Sequence, residues 1–147
     1  MMNWRRQPGY SMTFWAVFIT LVLIPLLALA IEVGRYSFAK AEVGKAADAA
    51  ALAAAIEIDR AVFRDAGEIV LTAQAWAQAQ AYANMNTQYL SLRGIHAVVT
   101  AIHIDNSKKT VEVVVTANLD RLFPSVAPDI RVAEEGLAQV RAETWGK

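Results

Sequence analysis

The stretch GKAADAAALAAA, from Gly44 to Ala55, contains eight alanines in twelve residues. Residues four apart stack on a helix, so the run forms two adjacent stripes of minimal side chains. The stripes are Ala46, Ala50 and Ala54, and Ala47, Ala51 and Ala55. Small residues at this spacing let two backbones approach closely, although alanine is also the best helix former and suits an exposed rod. Because few charged residues accompany the run, we predict a packed helix, with its partner in the same chain or in another.

The segment before this run is apolar enough to cross a membrane. Residues 12–31 read MTFWAVFITLVLIPLLALAI, without a charge. As a helix they span about 30 Å, the thickness of a bilayer's hydrocarbon core. A cleaved signal peptide is the alternative, but its apolar core is normally shorter. Strong helix formers continue without a turn signal, so we predict an uncleaved anchor in one long helix to about Ala66, with Gly67 as its stop.

Pro25 lies within the apolar segment and is predicted to kink the helix, because proline frees a carbonyl four residues earlier. The kink either has no function or provides a soft point during assembly. We divide the chain into a cytoplasmic tail or leader (1–11), a transmembrane helix (12–31) and an extracytoplasmic helix-plus-sheet domain (32–147). Basic residues near the two ends of the span are nearly balanced, so the positive-inside rule does not decide orientation. The short N-terminal tail favours a cytoplasmic N-terminus.

A second helix is predicted between Glu68 and Tyr89, because alanine and glutamine favour helix over strand. Its predicted inner face is Ile69, Ala73, Trp76, Ala77, Gln80 and Ala83. The segments HAVVTAIHID and KTVEVVVTAN then predict a β-hairpin. One buried face is expected to combine Val98, Thr100, Ile102 and Ile104 with Val111, Val113, Val115 and Ala117. This needs a loop of even length, either Asn106-Ser107 or Asn106 to Lys109.

The C-terminal segment, residues 130–143, is ambiguous between a third strand and a short helix. Alternation of Ala138, Val140 and Ala142 suggests a strand, with Glu134-Glu135-Gly136 as a bulge or bend. A third strand is attractive because a two-stranded ribbon alone is marginal. The expected architecture is therefore α+β and membrane-anchored: a long N-terminal helix, a second packed helix, and a small antiparallel sheet of two to three strands.

The sequence offers little catalytic chemistry. It has no cysteine, and its 14 basic and 14 acidic residues give no electrostatic footprint for nucleic acid. His96 and His103 are seven residues apart on one predicted strand, so we expect them on opposite faces and not at a shared metal. We find no phosphate loop or nucleophile motif. We expect no enzyme activity, cofactor, metal or small-molecule substrate. Glu32 ends the apolar run and is expected to pair with Arg35 at the membrane edge, or else to meet a neighbouring subunit.

The run from Ile31 to Ile56 resembles the N-terminal signature of TadE/TadG-like proteins of tight-adherence, Flp-type pilus systems. Glu32, Gly34, Arg35 and the alanines from Ala46 to Ala53 match that pattern in order and spacing. With the apolar span, the resemblance covers about a third of the chain.

The resemblance implies a minor-pilin-like or pseudopilin-like component of the bacterial inner membrane, single-pass, which either stays there or enters a surface filament. The implied partners are the lipid bilayer and other pilin-like or assembly-platform proteins, with a homo-oligomer left open. Relatives are often cut after a glycine, with glutamate five residues beyond. Here the candidate site is Gly9-Tyr10, yet Phe14 stands where the glutamate is expected. The alternative is a signal-anchored extracytoplasmic binding module with no filament role.

Overall fold

The computed structural model describes residues 10–123 and 129–141. Its helices are α1 (Tyr10–Phe18), a π-helical turn (Ile19–Leu23), α2 (Ile24–Ile56), α3 (Arg60–Ala66), α4 (Ala75–Asn86) and α5 (Gln88–Ser91). Its strands are β1 (Ala97–Asp105), β2 (Thr110–Leu119) and β3 (Ile130–Gln139), which form an antiparallel sheet in the order β1-β2-β3. The predicted α+β class is confirmed, as are the long N-terminal helix and the antiparallel sheet.

The long helix ends earlier than predicted. It stops at Ile56 and not near Ala66, because the chain leaves helical geometry at Glu57. Backbone hydrogen bonds then tie residues 57–59 to residues 70–72, including Asp59 N–H to the Val70 carbonyl at 2.8 Å. The Asp59 carboxylate caps the first turn of the separate helix α3. Gly67, with a φ of 69°, ends α3, so the predicted stop is correct although the helix before it is interrupted.

The second packed helix is α4, which is shorter than predicted and whose buried residues include only Ala83 of the predicted inner face. Residues 68–74 are not helical, and the inner stripe is Ala75, Ala79 and Ala83. The predicted contacts through Ala73, Trp76 and Ala77 are wrong: Trp76 is 48% exposed. The physical reason is size, since α4 lies directly against α2 and only the smallest side chains fit between two close backbones.

Both helices cover the same face of the sheet. Helix α2 packs over β2 and β3, and α4 packs beside it over β1. Strand β3 runs in the same direction as α2. Lys40 Nζ lies 3.7 Å from Glu134 Oε1, and further along both elements the backbone of Ala47 adjoins Gly136. Strand β2 therefore returns toward Glu32. We call the two ends of the domain the Glu32 end and the Ile56 end.

The hairpin pairs in the predicted register from Ala101↔Val114 to Asp105↔Thr110, which leaves the longer of the two predicted even-length loops, Asn106 to Lys109. A β-bulge between Val99 and Ala101 then shifts the register, so that Val99 pairs with Val115. Before the bulge, the odd-numbered residues of β1 therefore face the core. The predicted core positions of Val98 and Thr100 are consequently wrong, because Val98 is 49% exposed and Val99 is buried. The face of β2 with Val111, Val113, Val115 and Ala117 is buried as predicted.

Residues 130–139 form a strand, which resolves the ambiguity of that segment. The bulge or bend expected at Glu134-Glu135-Gly136 is wrong, since these residues pair without interruption with Val115, Val114 and Val113. The core alternation includes Ala138 and Val140, both buried, while Ala142 lies outside the described residues.

The open edge of β1 is partly occupied by a side chain. The Gln80 amide on α4 donates to the Ala97 carbonyl (3.1 Å) and accepts from Val99 N–H (2.8 Å). It therefore makes the two hydrogen bonds that another strand would make. Such occupation protects an edge strand from pairing with other chains.

Candidate functional site: the two halves of the long helix

The first half of the long helix, residues 12–31, has almost no contact with the other residues that the structure describes. Its large side chains are exposed around the whole circumference, among them Leu21 at 74% and Leu26 at 59%. The most apolar window of 18 residues has a mean hydropathy of 2.7, with only 6% of it buried. Among the described residues, the structure has one helix that is long enough and apolar enough to cross a membrane, and it contains this half. We call residues 12–31 the apolar half.

A π-helical turn, Ile19–Leu23, lies directly before Pro25. Its widened geometry is visible in the hydrogen bond from Ile24 N–H to the Ile19 carbonyl. Pro25 lacks an N–H and disturbs the regular ladder four residues earlier, at Leu21. The two irregularities therefore fall in the same turn of helix. The kink at Pro25 stays a prediction, and the π-helical turn marks where it would be.

The second half of the helix is packed with alanine. Ala46, Ala47, Ala50, Ala51 and Ala54 are all fully buried, whereas Ala55 is only partly buried. The sequence stripes did not include three further buried residues, Ala39, Val43 and Ala53. We call residues 39–54 the alanine half. Its partners lie in the same chain, namely α4 on one side and the sheet on the other.

Gly136 on β3 brings the sheet into contact with this half of the helix. A Cβ at this position would lie 2.1 Å from the backbone carbon and oxygen of Ala47. That distance is far below van der Waals contact, so only glycine fits between strand and helix here. Gly136 was missed as a packing residue because glycine within a strand is read equally well as a bulge.

Glu32 and Arg35 lie between the two halves of the helix. Arg35 Nη1 lies 2.9 Å from Glu32 Oε2, and the Glu32 side chain is buried. The other carboxylate oxygen, Oε1, accepts hydrogen bonds from the backbone N–H groups of Leu122 (2.5 Å) and Phe123 (3.0 Å). Arg35 Nη2 in turn donates to the Asp120 carbonyl (3.2 Å). The pair therefore holds the segment that follows β2, a role that the sequence did not suggest.

The remaining candidate positions do not form a site. Gly9 lies outside the described residues, and Tyr10 is the first residue of α1. His96 and His103 were expected on opposite faces because they are seven residues apart on one predicted strand. The β-bulge interrupts the alternation of side chains between them, so this expectation no longer follows. Both histidines are exposed. Among the described residues there is no group of three or more His, Asp or Glu that could hold a metal ion.

Comparison with known proteins finds a similarity that covers the long helix. Residues 9–60 match the family model for Flp pilus-assembly TadE/G-like proteins. The matched segment contains both helix halves and the Glu32–Arg35 pair, and it ends at the first residue of α3. No curated protein and no solved structure matches the chain. The N-terminal third of the chain is thus similar to TadE/G-like proteins, a family described by its part in Flp pilus assembly.

Proposed function

We propose that the protein is a minor-pilin-like structural component of a tight-adherence pilus. It is held in the bacterial inner membrane by the apolar half, with a cytoplasmic N-terminus and its helix-plus-sheet domain outside the cytoplasm. It acts by packing against lipid and against other pilin-like or assembly-platform proteins, and not by catalysis. A homo-oligomer is one form that this packing can take.

One observation carries the proposal, namely the contrast in burial along a single helix. The alanine half is covered by the protein's own α4 and sheet, which leaves it little surface for another subunit. Within the part of the chain that the structure describes, the apolar half has no such cover. Large apolar side chains on every side of a helix require an apolar surrounding. The bilayer supplies it for a stored subunit, and neighbouring apolar helices supply it in a filament.

The test is deletion of the coding sequence, followed by complementation and recovery of sheared surface filaments. We expect loss of piliation on deletion and its return with the wild-type chain. A complementing variant with Leu27→Arg keeps the folded domain but places a charge in the span, which disfavours insertion by about 3 kcal/mol. We expect this variant not to restore piliation. The matched substitution Leu137→Arg, on an exposed strand position, should restore it.

The intact mass of the chain, measured in membranes and in the filament fraction, separates a resident anchor from a filament subunit. A mass lacking residues 1–9 in the filaments would mean cleavage at Gly9-Tyr10 and incorporation. The full mass in membranes alone would mean an assembly accessory. Normal piliation after deletion would contradict the proposal.

Normal piliation would favour the alternative, a signal-anchored extracytoplasmic binding module. One observation supports that alternative. A groove of about 810 Å³ opens at the Ile56 end between α2, α3 and the end of β3. Its apolar wall includes Leu52, Ile56 and Phe63. Three arginines, Arg60, Arg64 and Arg141, also line it.

A further inference from the structure

Exposed apolar side chains lie at the Glu32 end of the domain, close to the apolar half of the helix. The chain leaves β2 at Leu119 and returns to α2, where Leu122 and Phe123 bond to Glu32 through their backbones. Their side chains are 55% and 37% exposed. Glu32 directly follows Ile31, the last residue of the uncharged span. Leu122 and Phe123 therefore lie at the level where the apolar half ends.

The hydrogen bonds of Glu32 make this segment suitable for an apolar environment. Backbone N–H groups placed in lipid without a partner are strongly unfavourable. Here the N–H groups of both Leu122 and Phe123 are satisfied by one carboxylate oxygen, and Arg35 satisfies the other oxygen. The segment can therefore turn its side chains toward lipid without exposing these two amide groups. Neutralisation of Glu32 by Arg35 reduces the charge at the same depth.

A second exposed group lies beside α2 at the same end. Tyr89 on α5 makes an edge contact with Phe38 on α2, with 5.6 Å between ring centroids. Phe38 is six residues beyond Glu32, about 9 Å along the helix axis. Leu92 follows α5 with 81% of its surface exposed, and Arg93 stacks on the Tyr89 ring at 4.3 Å. Aromatic and arginine side chains in combination are typical of the membrane–water interface.

We propose that Leu122, Phe123, Tyr89 and Leu92 form a seating surface that rests on the lipid interface beside the span. The inference depends on the membrane anchoring in the proposed function. Lipid is the favoured occupant because Leu122 and Phe123 adjoin the end of the apolar half, and because their backbone N–H groups already have an acceptor, as contact with lipid requires. The domain is then fixed on the membrane at three places, the helix and two segments beside it. Such a domain does not swing freely on its anchor.

The test uses the full chain, which has no native cysteine, with one cysteine introduced at a time. Spin labels are placed at Leu122→Cys, at Leu27→Cys within the span, and at Leu137→Cys as the matched exposed control on β3. Each variant is put into nanodiscs of phosphatidylethanolamine and phosphatidylglycerol, one copy per disc. For each spin label, we take the ratio of its collision rate with oxygen, which partitions into lipid, to its collision rate with a water-soluble nickel complex. We expect the ratio at 122 to resemble that at 27 and to be several-fold higher than that at 137.

The outcomes separate the seating surface from the anchor. A lipid-like ratio at 27 with equal, water-like ratios at 122 and 137 overturns the seating surface and leaves the anchor standing. A water-like ratio at 27 overturns both. A lipid-like ratio at 122 that arises only in discs with several copies assigns the surface to a second copy of the chain, which also overturns the proposal.

The role of Glu32 has its own comparison in the Leu122→Cys background. Glu32→Ala removes the acceptor, so the ratio at 122 should fall to the value at 137 while the circular dichroism spectrum is retained. Glu32→Gln keeps an acceptor oxygen and should preserve the lipid-like ratio. A lipid-like ratio in the folded Glu32→Ala variant would show that Glu32 does not position this segment.

Discussion

Of the two halves of the long helix, the more hydrophobic one is the less buried. The apolar half carries large aliphatic and aromatic side chains and is almost wholly exposed, whereas the alanine half carries methyl groups and is buried between α4 and the sheet. Burial against protein is here decided by side-chain size, because only small residues allow backbones to approach closely. Large side chains gain most from leaving water. They are placed where the surrounding medium, and not the protein fold, can cover them.

Gly136→Ala should have the largest effect on the domain. The added methyl carbon would lie 2.1 Å from the carbon and oxygen of the Ala47 backbone, which cannot move aside as a flexible side chain can. Overpacking usually destabilises by about 1–3 kcal/mol, and here we expect a loss above about 3 kcal/mol. The measurement is denaturant unfolding of the full chain in detergent micelles, followed by circular dichroism.

The control is Leu137→Ala on the next residue of β3, whose side chain is 63% exposed. It should change the free energy of unfolding by no more than about 0.5 kcal/mol. Equal stability of the Gly136→Ala variant and the control would mean that α2 does not approach the sheet closely enough to require glycine at position 136.

Gly136 also shows why only part of the packing was predictable from sequence. Glycine within a strand indicates either a bulge or a close approach of another backbone. Only the position of α2 decides between the two. The buried stripe of α4 had the same difficulty, because alanine occupies every odd position from 73 to 83 and so appears on more than one face of the helix. The sequence showed small residues without showing which of them meet α2.

The Glu32 contacts were beyond sequence reasoning for a different reason. The Glu32–Arg35 pair is local, three residues apart, and helical spacing is enough to predict it. The bonds to Leu122 and Phe123 join groups 90 and 91 residues apart. They arise because β2 returns to the beginning of the domain, which follows from the sheet topology. The long apolar segment, by contrast, depends on local composition alone and was predictable.

Ala50→Leu should have an intermediate effect on stability. Ala50 is fully buried in the alanine half, so three additional carbons must displace α4 or the sheet. We expect a loss of about 1–3 kcal/mol in the free energy of unfolding. Ala41→Leu, at an exposed position of the same helix, and Leu27→Ala, in the apolar half, should each leave the domain unchanged within about 0.5 kcal/mol. The same micelle unfolding assay applies. A loss for Leu27→Ala as large as that for Ala50→Leu would remove the distinction between the halves.

The smallest effect is expected at the Ile56 end, where the hairpin loop depends on polar contacts in water. The Asp105 carboxylate accepts hydrogen bonds from the Ser107 hydroxyl, Lys108 N–H and Ser107 N–H, and these lower the pKa of Asp105 from 3.8 to about 2.

A folded-state pKa below the unfolded value means that the charged form stabilises the fold. This stabilisation is complete above about pH 4 and is lost as the pH falls toward 2. Asp105→Asn retains an acceptor oxygen but does not titrate. The midpoint temperature of the wild type should therefore fall slightly more than that of the variant over this interval. Other carboxylates titrate in both proteins, so the difference isolates Asp105.

Hydrogen exchange should place the change in residues 105–109, with the amides of the alanine half unaffected, since close packing of methyl groups does not depend on pH. Parallel pH profiles for the two proteins would show that the Asp105 contacts do not stabilise the loop.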